Sequence, residues 1–133
     1  MPFTFDFDLA NGILRCRLTG RVTDEVLREF FGAGAERALR THPSAGIVDL
    51  SGVTSFEVSA RTIADLAATL PVLFGPGFRR IVIAPSPDVY GLMRMFEIEG
   101  EEQRPNLHVV HSEKEAWAIL VVRNPRFEPL DPT

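Results

Sequence analysis

One cysteine in 133 residues, Cys16, leaves no internal disulfide to form, and the chain is expected in a reducing compartment. Long apolar runs are missing as well, since no window approaches the ~20 consecutive apolar residues that a membrane-spanning helix requires. The opening MPFTFDFDLANG has neither the positive n-region nor the unbroken apolar core of a signal peptide, so a cytoplasmic protein is expected. A basic stripe is absent too: the net charge of −4 comes from mixed signs along the whole chain, which argues against nucleic-acid and anionic-lipid partners. Three scattered histidines and the single cysteine provide no paired ligand spacing, and Glu97 to Glu102 reads as a solvated acidic helix end, so no metal site is expected. No G-x-G-x-x-G follows a strand, which removes dinucleotide binding, and no cofactor is expected.

What is present is a regular alternation of short elements. With 45% hydrophobic and 24% charged residues, a chain of this length fits one globular domain. Phe3, Phe5 and Phe7 alternate with Thr4, Asp6 and Asp8 as in a half-buried strand, and Asn11-Gly12 is a hairpin turn signal. A second strand, ILRCRLT, puts Leu14, Cys16 and Leu18 on one face and Arg15, Arg17 and Thr19 on the other. Thr23 precedes Asp24 and Glu25 as the N-cap of a first helix, with Leu27, Phe30, Phe31, Gly34 and Ala38 at helical spacing up to His42-Pro43.

Strand and helix then repeat. Ile47 to Leu50 reads as a short buried strand, followed by a hydroxyl-rich loop and a helix capped by Ser59, with Val58 and Ile63 spaced as a hydrophobic staple. Pro71 marks the end of that helix, and residues 75–77 make a return loop. Arg80 to Ala84 is the next strand, and Ser86, Pro87 and Asp88 open a third helix as N-cap, N1 and N2. Leu107 to Val110 is the last strand, and Ser112 with Glu115 forms the capping box of a final helix. Residues 123–133 carry three prolines and read as an irregular tail outside a domain of residues 1–122. The order ββαβαβαβα implies an α/β sandwich: four to five mostly parallel strands, an antiparallel N-terminal hairpin, and four helices.

This order, with IVDLSGVTSFEVSARTIADL, resembles the STAS domain of anti-sigma-factor antagonists, the SpoIIAA-like superfamily. The resemblance spans about residues 3 to 122. It implies a non-enzymatic regulatory module, in which a serine in the turn before a helix is phosphorylated by a partner kinase. The equivalent stretch here reads Val58-Ser59-Ala60-Arg61, without the Asp and Gly of the family's turn and with one serine. An anti-sigma kinase-like protein is the partner the resemblance implies, and a neighbouring branch similar to lipid-binding Sec14-type domains leaves a small apolar ligand open.

The candidate site residues fall into three groups. Ser51, Thr54, Ser55 and Ser59 form a candidate phospho-acceptor loop, and Asp49, Ser86, His111 and Ser112 a candidate anion-binding edge, because ligands of open α/β sheets gather beyond the carboxyl ends of parallel strands. Helix capping alone also accounts for Ser59, Ser86 and Ser112. The third group is the helix VYGLMRMFEI, whose Gly91, Arg94 and Glu97 leave only a narrow polar stripe. One sheet face needs an apolar arc little more than ~100° wide, so Tyr90, Met93, Arg94, Met95, Phe96 and Ile98 become a candidate interaction surface for a homodimer or a protein partner. Alternatively, neighbouring elements cover it, or Phe56, Tyr90, Met93 and Phe96 line an apolar ligand pocket. A Ser51/His111/Asp49 hydrolase remains as a lesser reading, since Asp49-Leu50-Ser51-Gly52-Val53 lacks the first glycine of G-x-S-x-G.

Overall fold

The computed structural model describes residues 2–70, 73–75 and 77–130. Pro71, the expected helix stop, and Pro76 of the expected return loop lie outside the described residues. The phenylalanine alternation forms β1 (Phe3–Asp8), which pairs antiparallel with β2 (Ile13–Thr23), from Phe3 opposite Leu18 to Asp8 opposite Ile13. Next come α1 (Asp24–Thr41), β3 (Ala45–Glu57), α2 (Ala60–Thr69), β4 (Arg79–Ile83), α3 (Pro87–Glu99), β5 (Leu107–Val110), α4 (Glu113–Leu120) and β6 (Glu128–Pro129). They form a mixed α/β fold around one six-stranded sheet of order β5-β4-β3-β2-β1-β6. Strands β2 to β5 run parallel, and β1 is antiparallel to both of its neighbours.

Strand alternation divides the core into two layers. Leu14, Cys16, Leu18, Val82, Leu107 and Val109 face one way, against Phe30 of α1, Ile63 and Leu66 of α2, and Met93 and Phe96 of α3. Ile13, Ile47, Ile81, Ile83 and Val110 face the other way, against Ala116 and Leu120 of α4. Each such fully buried Leu, Ile or Phe stabilises the fold by about 1.5–3 kcal/mol. The first layer has an aromatic spine in which Phe5 stacks on Phe30, Phe30 tilts against Phe31, and Phe31 stacks on Phe96.

Two sequence expectations are corrected here. Ile47 to Leu50 is not a short strand followed by a loop, because β3 continues to Glu57 and carries Ser51, Thr54 and Ser55 within it. The extension is held by an equally extended β2, with Thr19 opposite Gly52 and Thr23 opposite Glu57, across register shifts at Arg17/Thr19 and Gly20/Arg21. Gly52, within the stretch expected as a loop, serves a close strand approach: a Cβ there would stand 2.7 Å from Thr19 Cγ2. Gly20 supplies the φ of +78° at the irregularity.

The tail is the second correction, since residues 128 and 129 add the sixth strand against β1, with Pro129 opposite Asp6 and Glu128 opposite Phe7. Proline suits such an edge, where its missing N–H costs no ladder bond. Phe127 lies against Trp117, and the Arg15 guanidinium sits 3.9 Å from the Phe127 ring centre, so the tail covers the back of the hairpin. Asp8, wholly buried, accepts from the Asn11 backbone N–H, from Asn11 Nδ2 at 2.7 Å and from the Arg126 N–H at 3.1 Å. Burial pulls its carboxyl upward, but these hydrogen bonds outweigh it and leave the pKa lowered.

Candidate functional site

Because β2 to β5 are parallel, the chain leaves all four at one edge, and each following helix starts there. Four hydroxyl residues cap these helices. Thr23, Ser59, Ser86 and Ser112 accept from the backbone N–H of Val26, Thr62, Val89 and Glu115, respectively. The Ser112 box is displaced by one residue, since Glu115 Oε2 reaches back to the N–H of His111. Ser59 is the most elaborated of the four. Its Oγ accepts from Thr62 N–H at 3.1 Å and bonds the Thr62 hydroxyl at 3.0 Å, while its own N–H donates to Asp24 Oδ1. Ser59 is exposed, and the first turn of α2 holds no acidic residue of its own, so the only carboxylate shown at this helix start is Asp24, reaching over from α1 beside an accessible hydroxyl.

The other hydroxyls of the candidate loop lie on the β3 extension. Ser51 donates through both its N–H, at 2.9 Å, and its Oγ, at 2.6 Å, to Asp49 Oδ1. Arg17 Nε stands 3.5 Å from Asp49 Oδ2, so the buried Asp49 carboxylate is neutralised and occupied. Thr54 is exposed, and Ser55 Oγ donates to Glu57. Glu57 is also gripped by Arg21, which together with Ser55 holds its carboxyl down to about 2.

His111 is engaged elsewhere on this edge. Its ring stacks on Tyr90 with centroids 4.1 Å apart, and Nδ1 stands 3.9 Å from Glu115 Oε1. The contacts of Ser51 are with Asp49 and those of His111 are with Tyr90 and Glu115, so the Ser/His/Asp arrangement that a hydrolase needs is not assembled. Among the described residues no group of His, Cys, Asp and Glu could hold a metal ion.

The third helix is more fully covered than its composition predicts. Val89, Met93 and Phe96 are buried, whereas Tyr90, Leu92 and Met95 are half-buried against the core. Arg94 pairs with Glu97 at 2.7 Å, and Ile98 alone stands out, 59% exposed. Met93 and Phe96 therefore belong to the interior, and packing against the sheet and α2 accounts for most of the wide apolar arc. They do line an apolar cavity, of about 160 Å³, but Phe56 and Tyr90 do not. That cavity opens at the other edge of the sheet, among the starts of β2 to β5, with Arg80 and Arg104 in its wall.

No protein-family model matches the sequence. No curated protein matches it significantly. A solved structure is similar: that of the anti-sigma factor antagonist SpoIIAA in its unphosphorylated form, with 15% identity, a TM-score of 0.56, and coverage of 92% of this chain and 99% of that one. The fold is thus STAS-like, as the order of elements implied. No helix among the described residues is long and apolar enough to cross a membrane.

Proposed function

We propose that the chain is a non-enzymatic regulatory module that docks a protein partner at the edge bearing Ser59, Ser86 and Ser112, with Ser59 as its phospho-acceptor. The observation that carries this reading is Ser59 itself, an exposed hydroxyl capping α2, whose own first turn holds no acid, in a STAS-like fold. The similar protein is an anti-sigma factor antagonist described in its unphosphorylated form, which favours a partner of the anti-sigma kinase type. A phosphate on Ser59 would add about −2 charge at a helix N-terminus, where it is stabilised, and beside Asp24, where it is repelled. The partner would read that change of charge. Thr54 and Ser55, on the rigid β3 extension, frame the surface, and the Tyr90–His111 stack forms its far side.

The reading is tested by affinity capture with wild type, Ser59→Asp and Ile98→Glu, each protein retained being quantified. It requires a protein whose recovery changes at least about threefold with Ser59→Asp and stays constant with Ile98→Glu, whose exposed side chain lies at the far end of α3. Equal recovery by wild type and Ser59→Asp removes Ser59 from the mechanism. Loss with Ile98→Glu alone moves the docking surface to the end of α3. Light scattering on the same three proteins reports whether the partner is a second copy of the chain.

A further inference from the structure

The cavity at the opposite edge joins two features that are rarely neighbours. Its wall is apolar, including Cys16, Phe30, Val82, Met93, Phe96 and Leu107, and its volume of about 160 Å³ is close to that of a protein cavity that accepts benzene. The same wall contains two arginines. The Arg104 guanidinium carbon lies 5.0 Å from the Phe96 ring centre and that of Arg80 lies 4.7 Å from the Phe78 ring centre, and both rings line the cavity.

Neither arginine has a carboxylate partner among the described residues. Arg104, only 5% exposed, donates to the carbonyls of Ala67 and Leu70 at the end of α2, and Arg80 donates to the carbonyl of Phe78. Glu97, at a neighbouring depression, is held by Arg94. A guanidinium has five N–H donors, so each arginine has donors beyond these carbonyls to offer a ligand. Burial pushes both pKa values down, and the charge of Arg104 adds to the effect at Arg80, the opposite of what a counter-ion would do. Two partly desolvated like charges carry a cost that an anion bound between them would offset.

We propose that Arg80 and Arg104 hold the carboxylate of a small amphiphilic acid whose apolar body, a ring or a chain of about six carbons, enters the cavity. Arg104 also caps α2, so it is a fixed half of the site. Arg80, half-buried at the start of β4, is the half that can be changed without disturbing a helix end. The site lies at the opposite edge of the sheet from Ser59, at the other end of α2, and the proposal does not rest on the docking reading.

Isothermal titration calorimetry of the full chain with octanoate and 3-phenylpropionate, and with the neutral octanol and 3-phenylpropanol, tests the assignment. At least one acid binds about tenfold or more tightly than its alcohol, as charge-assisted hydrogen bonds require. Arg80→Gln removes that preference and leaves alcohol binding unchanged. In Gly34→Leu, which fills the cavity from α1 where an added Cβ meets only Cys16 Sγ and Phe5 Cε1 at 3.8 Å, binding of the preferred acid is lost while the circular dichroism stays native. Octanoate binding alone identifies a chain ligand and 3-phenylpropionate alone a ring. Failure of both acids, equal affinity of acid and alcohol, or unchanged acid affinity in Arg80→Gln or in folded Gly34→Leu overturns the proposal.

Discussion

Replacing Ser59 by alanine removes two hydrogen bonds, that from Thr62 N–H and that with the Thr62 hydroxyl. Losing an N-cap acceptor costs about 1 kcal/mol. Thr62 is 4% exposed, so its stranded hydroxyl adds about 1 kcal/mol more, giving about 2 kcal/mol in all. Aspartate at the same position restores an acceptor and adds a carboxylate to a helix whose own first turn has none, a gain of about 0.5 kcal/mol. The neighbouring Asp24 carboxylate, which accepts from the Ser59 N–H at 3.0 Å, subtracts a similar amount. Ser59→Asp is therefore expected within about 0.5 kcal/mol of wild type, and Ser59→Ala about 2 kcal/mol below it. At about 3 °C per kcal/mol for a domain of this size, the melting temperatures differ by about 6 °C. Urea denaturation followed by circular dichroism measures both, with an unchanged m-value as the sign that only the folded state is affected. Equal destabilisation by the two substitutions would refute the capping geometry, and with it the argument that Ser59→Asp alters docking without altering the fold.

Asp8→Ala leaves the Asn11 and Arg126 N–H groups without their acceptor and is expected to cost about 2 kcal/mol at neutral pH. Since the folded Asp8 pKa is lowered from 3.8, its stabilisation is present above that value and is lost as pH falls through the folded one; wild type and variant should thus converge in urea midpoint in acid, and a constant gap would reject the role. Val121, β-branched and 81% exposed, closes α4 at φ 56°, a left-handed conformation that costs about 1–2 kcal/mol. Val121→Gly relieves it and, after the added freedom of the unfolded chain, should raise stability by about 0.5–1 kcal/mol, a lower midpoint being the contrary result. The Cys16 thiol, pushed up to about 12 by burial and then by Asp6, is almost wholly protonated at pH 8, so Ellman's reagent should label it far more slowly than a free thiol even though it lines the cavity, and labelling at the free-thiol rate would reject the raised pKa.

Local chemistry was legible in the sequence, and distant pairing was not. The four helix caps, the hairpin turn and the facing of Leu14, Cys16 and Leu18 follow from patterns a few residues long, and they stand as expected. The β3 extension was hidden because Ser51-Gly52 looks like a turn when the partner strand is unknown, and only the closeness of Thr19 explains that glycine. Phe127, Glu128 and Pro129 look irregular in the sequence because their roles depend on Arg15, Trp117 and β1. Of the cavity, the sequence shows Met93 and Phe96 but not the two arginines, for the same reason: Arg80 and Arg104 are 24 positions apart, and α2 supplies the carbonyls that orient one of them. Nothing near either arginine in the chain announces a site.

The clasp between Asp8 and Arg126 spans 118 positions, and β6 closes the outer side of β1 from the same region of the chain. On a ribosome adding roughly 5–20 residues per second, the phenylalanine-rich β1 is made first and waits about 6–24 s for the segment that shields its outer edge. During that interval a strand with three phenylalanines and unpaired N–H and C=O groups on its outer edge is open to a neighbouring nascent chain. Synthesis in crowded polysomes is therefore a stage at which this topology is exposed to edge-to-edge pairing.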